Sequence, residues 1–182
     1  MIMTTRRGFV LGAASLAAAC DNSVGSPGSQ TIDRRVTSTL SYMYSKHPET
    51  TRLRDTSSGM LVMPLIGEAG FMVGGSYGEG ALLIDGATVD YYSATQATVG
   101  FQFGAQQYAY VLFFMTPEAL QRFRTSPGWA AGAAAEFTGG DIAGALSADT
   151  VTQNAVVALL FAQQGLMIGA TIDGTKYTRI LR

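Results

Sequence analysis

After Gly59 the texture of the chain becomes strand-like, and Phe71–Ile84 alternates glycine with apolar and aromatic residues and carries no helical stripe. This stretch limits the possible folds more than any other feature. Successive residues of a strand point to opposite faces, so such alternation encodes strands. Glycine weakens a strand interior unless a bulge, a sharp bend or a close backbone approach requires it. The chain has 22 glycines, and many lie inside strand-like sequence, which predicts a small, tightly curved sheet. Met60–Met63 reads as a short strand stopped by Pro64, and Phe71–Ile84 as a longer one. Asp85-Gly86 is a hairpin turn. Val89–Tyr92, Ala97–Gln106 and Tyr108–Met115 read as successive strands, with Phe101, Phe103 and Ala105 sharing one face.

Helical signals flank this region. Ile32, Val36, Leu40 and Met43 form an apolar stripe of helical period, with Asp33 as N-cap and an end near Lys46. Pro48 opens a second short helix carrying Leu53. Thr116-Pro117-Glu118 is a helix start: a capping hydroxyl, proline at the first turn and an acid near the positive dipole end. That helix runs to about Thr125. Trp129–Thr138 reads as a strand and Gly139–Asp149 as a polar loop. Val156–Ala162 and Leu166–Ile172 form a hairpin through Gln163-Gln164-Gly165, and Asp173-Gly174 turns into Tyr177–Leu181. The expected class is α+β: a curved antiparallel sheet, open or barrel-like, with an N-terminal helical segment and one mid-chain helix.

The first twenty residues bear on location. Arg6-Arg7 precedes a short apolar, small-residue run from Gly8 to Ala19, which ends at Cys20, the sole cysteine. A basic region, an apolar core and a small-residue cleavage zone are the layout of an export signal, here similar to twin-arginine lipoprotein signals. The run is too short to span a bilayer, which takes about 20 apolar residues. The expected organisation is a signal at 1–19, a lipidated Cys20 with a polar tether at 20–30, and one domain at 31–182. The expected location is the bacterial cell envelope, with the domain in the periplasm and held to a membrane by lipid. With Cys20 used as anchor, a disulfide framework is excluded.

Charge is sparse and unevenly placed. The net charge is -1, which argues against a nucleic-acid partner. Arg34, Arg35, Lys46, Arg52 and Arg54 cluster early, and Asp55–Gln121 has no Lys or Arg. Solvated helix faces are one reading of this cluster, and a cationic surface facing anionic headgroups is the other. No catalytic or metal site is expected. The single histidine, His47, has no Cys or His partner for a transition metal. No nucleophile elbow occurs. Gly74-Gly75-Ser76-Tyr77-Gly78-Glu79-Gly80 lacks the Lys-Ser/Thr of a phosphate loop and is followed by strand-like sequence. Gly74, Gly75, Gly78 and Gly80 are therefore assigned a structural role. No cofactor is expected. Glu79 and Asp90 are the acidic pair a hydrolase reading would use.

An ordered set of short motifs resembles the SYLF domain family. The pieces are Gly59-Met60-Leu61-Val62-Met63-Pro64, Ala69-Gly70-Phe71, the Gly74–Gly80 segment, Tyr91-Tyr92-Ser93, Val99–Gln106 and Val111–Met115. Gly165–Met167 and Asp173–Lys176 resemble the family's ending. The resemblance implies a non-enzymatic domain binding membrane phospholipids. Eukaryotic members favour phosphoinositides through a basic amphipathic N-terminal helix, and some bind actin. Here Ser57-Ser58 stands where the family often has Ala-Lys, and the first helix carries few basic residues, so phosphoinositide selectivity is not expected. Actin binding is not carried over to an exported protein. The resulting expectation is an envelope lipoprotein binding anionic phospholipid through Arg34, Arg35, Lys46, Arg52 and Arg54. The alternative is an envelope protein-interaction or structural module without lipid affinity of its own.

Overall fold

A computed structural model of the chain describes residues 27–130, 135–137, 154–162, 165–166 and 174–182. Helix α1 runs Pro27–Lys46, a 3-10 turn spans Pro48–Thr50, and helix α2 is Thr51–Thr56. Strands β1 (Gly59–Ile84) and β2 (Ala87–Phe114) follow, then helix α3 (Pro117–Thr125). Strands β3 (Ala135–Phe137), β4 (Val156–Ala162), β5 (Gly165–Leu166) and β6 (Lys176–Ile180) complete the described elements. The architecture is α+β, as expected, with a six-stranded sheet ordered β1-β2-β4-β3, β5 pairing with β4 and β6 with β2. All pairs are antiparallel except β3–β4, which is parallel. The sheet is curved and does not close into a barrel among the described residues.

The centre of the fold is one long hairpin. Its ladder runs from Gly59 opposite Phe114 to Ile84 opposite Ala87. The expected break at Pro64 is a register shift between Met63 and Ile66 within a continuous strand. A bulge leaves residues unpaired, so the missing N–H of proline costs nothing there. Likewise, the three strands expected across 89–115 are one strand, bent where the register shifts opposite Gly70 and Met72. Asp85 and Gly86 both have positive φ, 51° and 79°, the type I′ geometry that matches strand twist.

The bend brings the two halves of β1 together. A Cβ on Gly80 would overlap the carbonyl oxygen of Val62, and one on Gly78 would overlap that of Leu65. Glycine is required at both positions because backbone meets backbone. Gly75 has more room: a Cβ there would lie 3.3 Å from the Gln96 carbonyl. Gly74 pairs with Thr98 within the ladder. The whole Gly74–Gly80 segment is thus extended strand.

Side-chain parity divides the sheet into two buried faces. One carries Leu61, Leu82, Tyr92, Tyr110, Leu112 and Phe114 and is covered by Leu120 and Phe123 of α3. The other carries Val62, Ala81, Leu83, Val111 and Phe113 and is covered by Ile32, Val36 and Met43 of α1 and Leu53 of α2. The α1 stripe is therefore the face it buries. Its helix starts at Pro27 rather than after Asp33, so residues 27–30 of the expected tether are helical. Proline suits a first helical turn. Asp33 does not cap the helix: it accepts hydrogen bonds from Thr88 Oγ1 (3.1 Å) and the Tyr91 hydroxyl (2.8 Å), tying α1 to β2. Thr116 does cap α3, its Oγ1 accepting from the Ala119 N–H at 3.2 Å. Of the expected strand Trp129–Thr138, Ala130 forms an isolated bridge to Lys176 and 135–137 form β3, while 131–134 and 138 and the residues expected as a loop at 139–149 lie outside the described residues. Of the expected strand from Leu166, β5 covers 165–166 and 167–172 lie outside. The side chains of Phe101, Phe103 and Ala105 also lie outside the described residues.

Candidate functional site

Arg34, Arg35, Lys46, Arg52 and Arg54 are all exposed, but the fold does not gather them into one cluster. Arg35 and Lys46 stand about three turns apart on α1, roughly 16 Å at ~1.5 Å per residue. Arg54 belongs with the far end: its guanidinium lies 5.3 Å from the Tyr44 ring centroid and is ion-paired to Asp55 at 2.8 Å. Arg34 and Arg35 sit at the N-terminal half, where Arg34 Nη2 donates to Thr31 Oγ1 at 3.1 Å. Cys20, Arg6 and Arg7 lie outside the described residues.

The N-terminal half of α1 borders a groove of about 520 Å³. Its walls come from Gly28, Thr31 and Arg35 of α1, from Tyr77 and Glu79 of β1, and from Arg182. A shallower groove of about 410 Å³ continues from it through Thr31, Arg35 and Leu65 to Arg34. Strand parity explains the composition. Ala81 and Leu83 face α1, so Tyr77 and Glu79, at the same parity, emerge on that face beyond the helix. Glu79 is ion-paired to Arg182, with Arg182 Nε 3.3 Å from Oε2, and it accepts from the Tyr77 hydroxyl at 2.7 Å. Burial raises the Glu79 carboxyl. The hydrogen bonds from Arg182 and Tyr77 and the charges of Arg182 and Arg35 outweigh this and leave it below the ordinary carboxylate range.

A second charged cluster lies on the opposite face. Asp90 pairs with Leu82 in the ladder and shares the face of Tyr92, under α3. It is ion-paired to Arg179 and to Arg124, the latter at 3.4 Å. A groove of about 580 Å³ adjoins it. Glu79 and Asp90 thus point to opposite sides of the sheet, each held by arginine, and cannot act on one substrate atom. His47 Nδ1 lies 3.6 Å from Glu49. No cluster of three or more His, Cys, Asp or Glu suited to a metal occurs among the described residues.

Sequence reasoning missed two features. Arg182 is not among the residues the sequence singles out, because its reach to Glu79 depends on β6 pairing with β2 across a long sequence separation. Asp90 was read without Arg124 and Arg179 for the same reason. The Tyr77-x-Glu79 spacing was a usable signal, since it places both on one face.

Residues 95–179 match the family Ysc84, described as Las17-binding protein actin regulator, which is the SYLF family. The matched span runs from the middle of β2 to the end of β6. Just under half of the chain is therefore similar to the SYLF family that its motifs resemble, with the quoted motifs before Thr95 lying outside the match. Among curated proteins none matches the chain.

Proposed function

We propose that this protein is a lipoprotein of the bacterial envelope, anchored through Cys20, whose SYLF-type domain binds anionic phospholipid without catalysing a reaction. The observation that carries the reading is the placement of Arg34 and Arg35: both are exposed and line adjoining grooves at the start of α1. The stretch from Cys20 to Pro27 can span at most roughly 25 Å at ~3.5 Å per residue. A lipid on Cys20 would hold that end of α1 near the bilayer surface. Each basic group near an anionic surface contributes about 1 kcal/mol, and an anchor raises the effective concentration so that weak contacts suffice. No helix among the described residues is long and apolar enough to cross a membrane.

The test is flotation of the full chain carrying Cys20→Ser with anionic and neutral vesicles over a salt series. We expect binding to anionic vesicles that weakens toward physiological salt, where the Debye length is about 8 Å. Replacing Arg34, Arg35, Arg52 and Arg54 by Gln should remove most of it without changing the melting temperature. Equal binding to neutral vesicles overturns the electrostatic reading. No binding by a folded chain favours the protein-interaction module.

A further inference from the structure

Resting on that lipid-binding reading, we propose that the groove between the start of α1 and strand β1 is a seat for a phosphate-ester anion of a lipid headgroup, held by Arg35 and Arg182, and that Glu79 is the resident carboxylate the anion displaces.

The charge balance of the groove is the first argument. Two guanidinium groups, Arg35 and Arg182, face one carboxylate, Glu79, in a groove of about 520 Å³. Arg34 adds a third cation where the furrow continues. The other carboxylate on this stretch of helix, Asp33, is turned to Thr88 and Tyr91 and does not neutralise them. The first turn of α1 has no acidic residue, and Gly28 of that turn lines the groove. The positive end of the helix dipole therefore adds to the potential.

Exchangeability is the second argument. The Glu79 side chain is 24% exposed and that of Arg182 25%, so water and ions reach the pair. A guanidinium offers two parallel N–H donors to a phosphate as readily as to a carboxylate. Trading Glu79 for a phosphate oxyanion at Arg182 replaces one charge-assisted pair by another, while Glu79 keeps the Tyr77 hydroxyl. The rim supplies the third argument. Tyr77, which lines the groove, is 53% exposed. An amphipathic ring beside a cationic groove suits the boundary between headgroups and acyl chains.

The proposal makes a prediction opposite in sign to a structural role. If Glu79 merely supports the site, its loss weakens binding; if it competes with the ligand, its loss strengthens binding. The full chain carrying Cys20→Ser is compared with the same chain bearing Glu79→Gln, Arg182→Gln or Arg35→Gln. All share one N-terminal segment, so differences among them report the groove. With vesicles containing phosphatidylglycerol, Glu79→Gln should raise affinity, and Arg182→Gln and Arg35→Gln should each lower it roughly fivefold, the change expected for one basic contact. Thermal melts confirm that each variant is folded. A parallel titration with glycerol 3-phosphate, read by NMR at Tyr77, Glu79 and Arg182, separates the sources of the anion. Vesicle binding that is indifferent to Glu79→Gln and Arg182→Gln, or that falls with Glu79→Gln, overturns the groove proposal and leaves the lipid reading standing. Saturable shifts with glycerol 3-phosphate but no vesicle binding keep the anion seat and overturn a lipid as its occupant. Neither vesicle binding nor shifts overturns both.

Discussion

Glu79 and Asp90 each have arginine partners, yet they stand in different physical situations. The Asp90 side chain is 4% exposed and lies beneath α3, where it ties Arg124 of that helix to Arg179 of β6. Glu79 is 24% exposed and lies beyond the edge of α1, beside an open groove. A buried carboxylate has lost its water and depends on its partners, so its removal leaves two cations uncompensated. A partly exposed one is reached by water and can exchange partners with solvent or ligand at lower cost. Strand parity alone decides which acid is which. The same charge chemistry serves as a fixed brace on one face and as an exchangeable contact on the other.

The largest expected effect removes both regions at once. Gly80→Val should cost ~3 kcal/mol or more, or abolish folding, because the new side chain overlaps the Val62 carbonyl and forces the halves of β1 apart. Urea denaturation measures it, and a Gly80→Val chain with an unchanged midpoint would break the picture of a folded-over hairpin. Next in size is the contrast between the acids. Asp90→Ala should destabilise by about 1–3 kcal/mol, at the lower end of the range for breaking a buried pair because its arginines are largely exposed. Glu79→Gln should change stability by no more than about 0.5 kcal/mol. Equal losses in matched melts would erase the distinction.

Alkali and acid should act on different groups of the fold. Burial pushes the hydroxyls of Tyr92, Tyr110 and Tyr177 above the ordinary tyrosine range. The folded state keeps these groups neutral where the unfolded chain ionises them. Their contribution is full below about pH 10 and is lost as pH rises further. The urea midpoint should therefore fall in alkali, and fall less for Tyr177→Phe. Glu79 gives the smallest effect. Its folded carboxyl is depressed, so its contribution is present above the ordinary carboxylate range and is lost as pH falls through the lower folded value. Wild type should lose slightly more stability in acid than Glu79→Gln does, a difference that paired pH-dependent melts would detect.

Local features of the fold were legible, while long-range ones were not. The α1 stripe, the Asp85-Gly86 turn, the Thr116 cap and strand β4 follow from nearest neighbours in sequence, and each stands where it was expected. The joining of strands was not legible, because proline and glycine that end an isolated strand can occupy bulges and bends within a long one. Gly78 and Gly80 looked structural from their setting. The reason each must be glycine, contact with β1's own first half, depends on how the hairpin folds over. In the site, Arg34 and Arg35 were legible as exposed cations of an amphipathic helix. Arg182 was not, since its approach to Glu79 is set by the pairing of β6 with β2.

The most direct test of lipid binding at the groove is a backbone NMR titration of the full chain carrying Cys20→Ser with a short-chain anionic phospholipid below its micelle concentration. The account predicts saturable shifts at Gly28, Thr31, Arg35, Tyr77, Glu79 and Arg182, with little change around Asp90, Arg124 and Arg179. Shifts centred on the Asp90 cluster, or none anywhere in a folded chain, would contradict it.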